Sequence, residues 1–236
     1  MTGMAANTER YLLSPSMKMA DLMNQRFCLL GVLTRMGIPF GFGDETVEEV
    51  CRKQGIDPET FLLISAVYAI DGYLPTKEKL EKADLRDVLK YLRLSHAYYM
   101  DVALQELEMA LENLIAPCGE KHKRIIWKFF ADYKEELSKH FEYEEKTVFP
   151  HAEAVLRQGV DRNFTIGEYE ENHSNVEEKL EDLKNLVMKY MPPVCGQQDT
   201  FKALFYIFSL EEDLEKHTVV EDEILVPIVN RLESHE

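Results

Sequence analysis

His140 opens the segment HFEYEEKTVFP, and His217 opens HTVVEDEILVP. In both, a Glu follows the His by four residues (Glu144, Glu221) and a Pro follows it by ten (Pro150, Pro227), while most residues between them differ. Residues i and i+4 of an α-helix are neighbours on one face, so each segment sets an imidazole beside a carboxylate. One such pair is ordinarily an exposed ion pair. Here each His is also preceded by an acid four residues earlier, Glu136 and Asp213, so two helices carry acid, His and acid on successive turns. Those faces also carry Phe129 and Tyr133, and Tyr206 and Leu210, which points them inward. Ionised carboxylates gathered in a helical interior cost several kcal/mol each unless cations compensate them, and metal ions are the economical compensation.

Two further histidines complete a pattern. Forty-four residues separate His96 from His140, and the same number separates His173 from His217. About as many residues lie between His96 and a turn near residue 118 as between that turn and His140. At 1.5 Å rise per residue the two imidazoles therefore return to one height, and the same holds for His173 and His217 about a turn near residue 195. Two hairpins, each supplying one His and one His-x-x-x-Glu pair, amount to an internal duplication around a pseudo-two-fold axis. Four imidazoles and two carboxylates suit iron better than magnesium or calcium, which prefer oxygen donors. Two metals sharing the set would each take two His and one oxygen of each bridging Glu, leaving a solvent bridge and an open position for a small molecule. Mononuclear and dizinc occupancy use the same donors. The Glu-x-x-His pattern of ferritin-like bundles occurs only once, at Glu170 and His173, and no His-Glu-x-x-His protease signature is present.

The elements that must hold these residues are helices, since strand signals are nearly absent. One long helix is expected from Asp84, a plausible N-cap, to the stop at Pro117-Cys118-Gly119, with Leu85, Leu89, Leu92, Tyr99, Ala103 and Leu107 in one stripe. A second runs from about Glu120 to Pro150 or on to Gln158, a third from Thr165 to Tyr190, and a fourth from Asp199 to Ser234. Long helices with short connections predict an all-α protein built as an antiparallel up-down four-helix bundle. The first 80 residues hold shorter helical patterns, among them DPETFLLISAVYAI, where Asp57 caps and Pro58 takes the first turn. DGYLPTKEK reads as a linker, so a small helical domain at 1–80 precedes the bundle at 84–236.

Composition narrows the partners. The longest apolar run, Phe61 to Ile70, is about half the ~20 residues of a membrane helix, and the first residues carry no signal-peptide pattern, so a cytoplasmic protein without membrane contact is expected. A formal net charge of −16, with few clustered Lys or Arg, argues against nucleic acid. Cys28, Cys51, Cys118 and Cys195 show no paired spacing, which argues against a zinc knuckle, redox dithiol or disulfide framework and for reduced thiols.

The order His, His-x-x-x-Glu, His, His-x-x-x-Glu over residues 84–234 resembles the hemerythrin-like di-iron proteins, and more closely the iron-sulfur cluster repair (Repair of Iron Centres) family. The resemblance implies iron ligands His96, His140, His173 and His217, with Glu144 and Glu221 bridging two non-heme iron ions that share an oxo or hydroxo group. Glu136 stands where family members carry an acid near the iron channel, and Asn172 where some carry another. Glu136 and Asp213 are candidates to accept the outward N–H of His140 and His217. Around Ile38-Pro39-Phe40-Gly41 the chain lacks the adjacent cysteines of the family's N-terminal domain, which leaves that domain a docking or regulatory role. The implied function is binding of O2 or nitric oxide, or exchange of iron, in repair of damaged iron-sulfur clusters, with iron-sulfur proteins as partners. The alternative is a non-enzymatic sensor or carrier of these ligands coupled to the N-terminal domain.

Overall fold

The structure is a computed structural model that describes residues 13–157, 164–172 and 177–234. Helices dominate it, and the described residues hold no strand, only one isolated bridge between Lys18 and Thr46. The all-α expectation therefore holds. Five short helices come first: α1 (Met19–Gln25), α2 (Leu29–Arg35), α3 (Val47–Lys53), α4 (Pro58–Ala69) and α5 (Lys77–Lys82). Eight more follow: α6 (Leu85–Tyr98), α7 (Leu104–Ile115), α8 (Glu120–Tyr143), α9 (Phe149–Leu156), α10 (Ile166–Asn172), α11 (Glu177–Tyr190), α12 (Gln197–Val220) and α13 (Val226–Ser234). Helices α6 and α7, α8 and α9, and α12 and α13 abut through π-helical segments, Tyr99–Ala103, Glu144–Val148 and Glu221–Leu225.

The chain divides into two packing units, one of residues 1–94 with 219–236 and one of residues 95–218. In the first, α4 packs against α2, α3 and α5. Asp57 accepts the Thr60 N–H at 2.7 Å and Pro58 occupies the first turn, as their types predict. Thr46 and Glu49 close a reciprocal capping box on α3. Helix α4 is buried nearly all round, from Thr60 to Val67, so its apolar run is a core helix. No helix among the described residues is long and apolar enough to cross a membrane.

In the second unit α8 packs on α7 and α11. Its buried stripe is Ile126, Phe130, Tyr133, Leu137 and Phe141, and that of α12 is Ala203, Ile207, Leu210 and Leu214. Both repeat at three and four, the period of one helical face. Extending the α8 stripe by three residues reaches Glu144, and extending the α12 stripe by three reaches His217. Polar groups thus occupy positions at which the fold buries whatever residue is there.

The π segments explain the prolines of the repeated motif. Phe149 N–H bonds to Glu144 C=O, and Val226 N–H to Glu221 C=O, five residues back in place of the usual four. Each wide turn starts at the motif's Glu. Pro150 and Pro227 then fall second in α9 and α13, early in a new α-helical register, where a missing N–H is tolerated. The segment at Tyr99–Ala103 makes the same bond, from Leu104 N–H to Tyr99 C=O, without a proline.

Candidate metal centre

His96 lies near the end of α6, three residues before the first π segment, and is 4% exposed. Phe141 stacks on its ring at 4.0 Å and Phe149 at 5.3 Å, both within 16° of parallel, which fixes the imidazole plane. Its Nδ1 lies 3.0 Å from Glu145 Oε1. A carboxylate there accepts the Nδ1–H, which leaves Nε2 as the ring nitrogen that faces inward. Nε2 stands 3.2 Å from Glu144 Oε2 and 3.2 Å from His217 Nε2.

Glu144 is fully buried. Its Oε1 lies 3.2 Å from His140 Nε2 and receives a hydrogen bond from the Tyr169 hydroxyl at 2.6 Å. Burial pushes this carboxyl up, but hydrogen bonds from His140 and His96, with their positive charge, overcome the burial and hold it well below the usual carboxylate range. The carboxylate is therefore anionic in a dry interior and depends on nearby positive charge. His217 and Glu221, one turn apart on α12 and its π segment, are also buried. His96, Glu144, His217 and Glu221 each offer a ligand atom, and these atoms all lie within 4.8 Å of one another.

This donor set fits a metal. Ligand atoms bound to one ion at about 2.0–2.2 Å stand about 3.0–3.4 Å apart. His96 Nε2 meets that spacing with both Glu144 and His217. Nitrogen and oxygen donors together suit a transition metal.

The other sequence candidates fall as follows. His140 joins through Glu144 and is half-buried. His173 lies outside the described residues. Glu136 forms an ion pair with Lys179 of α11. Asp213 meets Tyr99, whose hydroxyl donates to the Asp213 backbone carbonyl at 3.2 Å. Neither acid belongs to the four-residue cluster. Sequence reasoning did not find Glu145, Tyr169, or the Phe141 and Phe149 pair. Glu145 was findable, being one residue past the motif's Glu, whereas nothing in local spacing marks Tyr169.

Histidines and carboxylates brought together from several helices in a dry interior define a class, that of helical proteins built to hold cations. A family model described as Hemerythrin HHE cation binding domain matches residues 78–229, and the chain belongs to that family. The iron-sulfur cluster repair proteins YtfE of Salmonella newport (strain SL254), Salmonella heidelberg (strain SL476) and Salmonella agona (strain SL483) are similar to it. Each is 24% identical over 192 residues, covering 78% of this chain and 83% of the relative.

Proposed function

We propose that the chain is a cytoplasmic di-iron protein, with His96, His140, His173 and His217 as terminal ligands and Glu144 and Glu221 as bridges. One observation carries the reading: four buried ligating groups whose donor atoms all lie within 4.8 Å of one another. Iron held by these residues would supply one-electron chemistry, which suits O2, nitric oxide or the iron of a damaged cluster as ligand or cargo. The chain's residues supply the rest. Glu145 orients His96, Tyr169 holds Glu144 through a buried hydrogen bond, and the Phe141 and Phe149 rings exclude water from one side of His96. The four longest helical stretches form an antiparallel bundle in this reading, with residues 1–80 as a separate module. The family match begins at residue 78, near that boundary, whereas the packing units divide after residue 94 and group 219–236 with the N-terminal residues.

Repair of damaged iron-sulfur clusters is the function best supported, because the similar YtfE proteins carry that description over most of their length. A [4Fe-4S] dehydratase inactivated with nitric oxide should regain activity with iron-loaded protein, and not with His217→Ala. Equal reactivation by wild type, variant and free Fe(II) would end the repair assignment. Catalytic consumption of nitric oxide or peroxide with an electron donor marks an enzyme. A reversible spectral change without turnover marks a sensor or carrier.

A further inference from the structure

Cys118 sits in the turn between α7 and α8, where its N–H bonds to Ile115 C=O, and Cys195 sits in the turn between α11 and α12, where its N–H bonds to Pro192 C=O. They are 77 residues apart in sequence, yet their Sγ atoms lie 2.7 Å apart. Both are thiols, 5% and 9% exposed. Non-bonded heavy atoms pack at about 3.5–4 Å, and bonded sulfurs stand at about 2.0 Å. The pair is thus closer than packing requires and within a small side-chain movement of bonding distance. Turns, unlike helix interiors, permit that movement without breaking a helical hydrogen-bond ladder. Cys51, by contrast, is buried within α3, and Cys28 is exposed.

We propose that Cys118 and Cys195 are a redox site, forming a reversible disulfide that joins the two turns when the protein meets a hydroperoxide. Burial, followed by contact with Cys118, pushes the Cys195 thiol up to about 12, so it stays protonated at neutral pH. The Cys118 thiolate takes the distal oxygen of hydrogen peroxide, the O–O bond breaks, and hydroxide leaves and is protonated to water. Cys195 then attacks the Cys118 sulfenic sulfur, the S–O bond breaks, and its proton leaves with the oxygen as a second water. Two thiols give up two electrons, and one peroxide accepts them. The reduced pair is restored by thiol-disulfide exchange with a small thiol. The bond closes a loop of 77 residues within one packing unit, long enough to raise the melting temperature by roughly 10 °C. This inference does not depend on metal binding.

The test uses the full chain, desalted from reductant and titrated with hydrogen peroxide until the exposed Cys28 is oxidised. The sample is then unfolded in an alkylating agent and mapped by mass spectrometry. The expected result is a peptide pair joined through Cys118 and Cys195, released by dithiothreitol, absent from Cys195→Ser, present in Cys28→Ser at the same peroxide dose, and accompanied by the rise in melting temperature. Recovery of Cys118 and Cys195 as alkylated thiols in wild-type protein whose Cys28 is already oxidised would overturn the proposal. Oxidation of Cys118 to sulfinic acid with no joined peptide would overturn it too. Both readouts come from wild type and stand even if the serine variants fold poorly.

Discussion

Removing one oxygen atom tests the support around Glu144. In Tyr169→Phe the ring, 2% exposed, keeps its packing, and only the 2.6 Å hydroxyl bond to Glu144 Oε1 is lost. A hydrogen bond to a charged acceptor contributes about 1.5–3 kcal/mol, and a buried group left short of a partner costs a similar amount. The metal-free protein should therefore lose about 1.5–3 kcal/mol of stability, or roughly 3–12 °C in melting temperature for a chain of this size. Metal affinity should also fall, because the Glu144 carboxylate loses the group that orients it, and such supporting contacts are worth about 10–100-fold in affinity. Competition between the protein and a chromophoric Fe(II) chelator under anaerobic conditions measures the second effect, and calorimetry the first. The signature is a loss in both while far-ultraviolet circular dichroism is unchanged. A variant that binds Fe(II) within twofold of wild type and melts within a degree of it would refute the claim that Tyr169 holds this carboxylate.

Other expectations follow from the same contacts. The Cys51 thiol is pushed up to about 12, first by burial and then by the negative charges of Asp57 and Asp87. A folded-state value above the ordinary 9.0 favours the folded chain fully below pH 9, and this contribution is lost as pH rises toward 12. Between those values wild type should lose about 1.4 kcal/mol per pH unit more than Cys51→Ala in chemical denaturation. A parallel decline in the two would contradict this. Leu107 is fully buried in the second unit's core, so Leu107→Ala should cost about 2–5 kcal/mol by urea denaturation, and a cost below 1 kcal/mol would mean the site collapses without penalty. Asp57→Ala removes the cap of α4 and should cost about 1 kcal/mol in the same assay, with no effect on metal content.

The helical character of the chain was legible because apolar residues recur at three and four and because Asp57, Pro58 and Gly119 punctuate the helices at the right places. Equal spacing about the turns set His96 level with His140 and His173 with His217, whereas the closeness of His96 to His217 and the apolar stripes that run into Glu144 and His217 emerge only from the packed helices. The π segments were not legible, since their signature is a backbone bond pattern, and the only side-chain trace is the proline ten residues past each His. That proline was visible in the motif, but helix periodicity alone assigns it no role. Glu145 and Tyr169 act across 49 and 25 residues, and such pairings are set by tertiary packing. The same reason hides Cys118 and Cys195: rules for paired cysteines look for short local spacings, whereas here two distant turns meet at one place.

The central claim is that these buried nitrogen and oxygen donors exist to hold iron. Protein made in iron-supplemented cells and purified anaerobically should contain about two irons per chain by elemental analysis, and Glu144→Gln and Glu221→Gln should each lose most of that iron while remaining folded. Wild type purified without bound iron and unable to take up Fe(II), or a double variant that keeps the full complement, would contradict it.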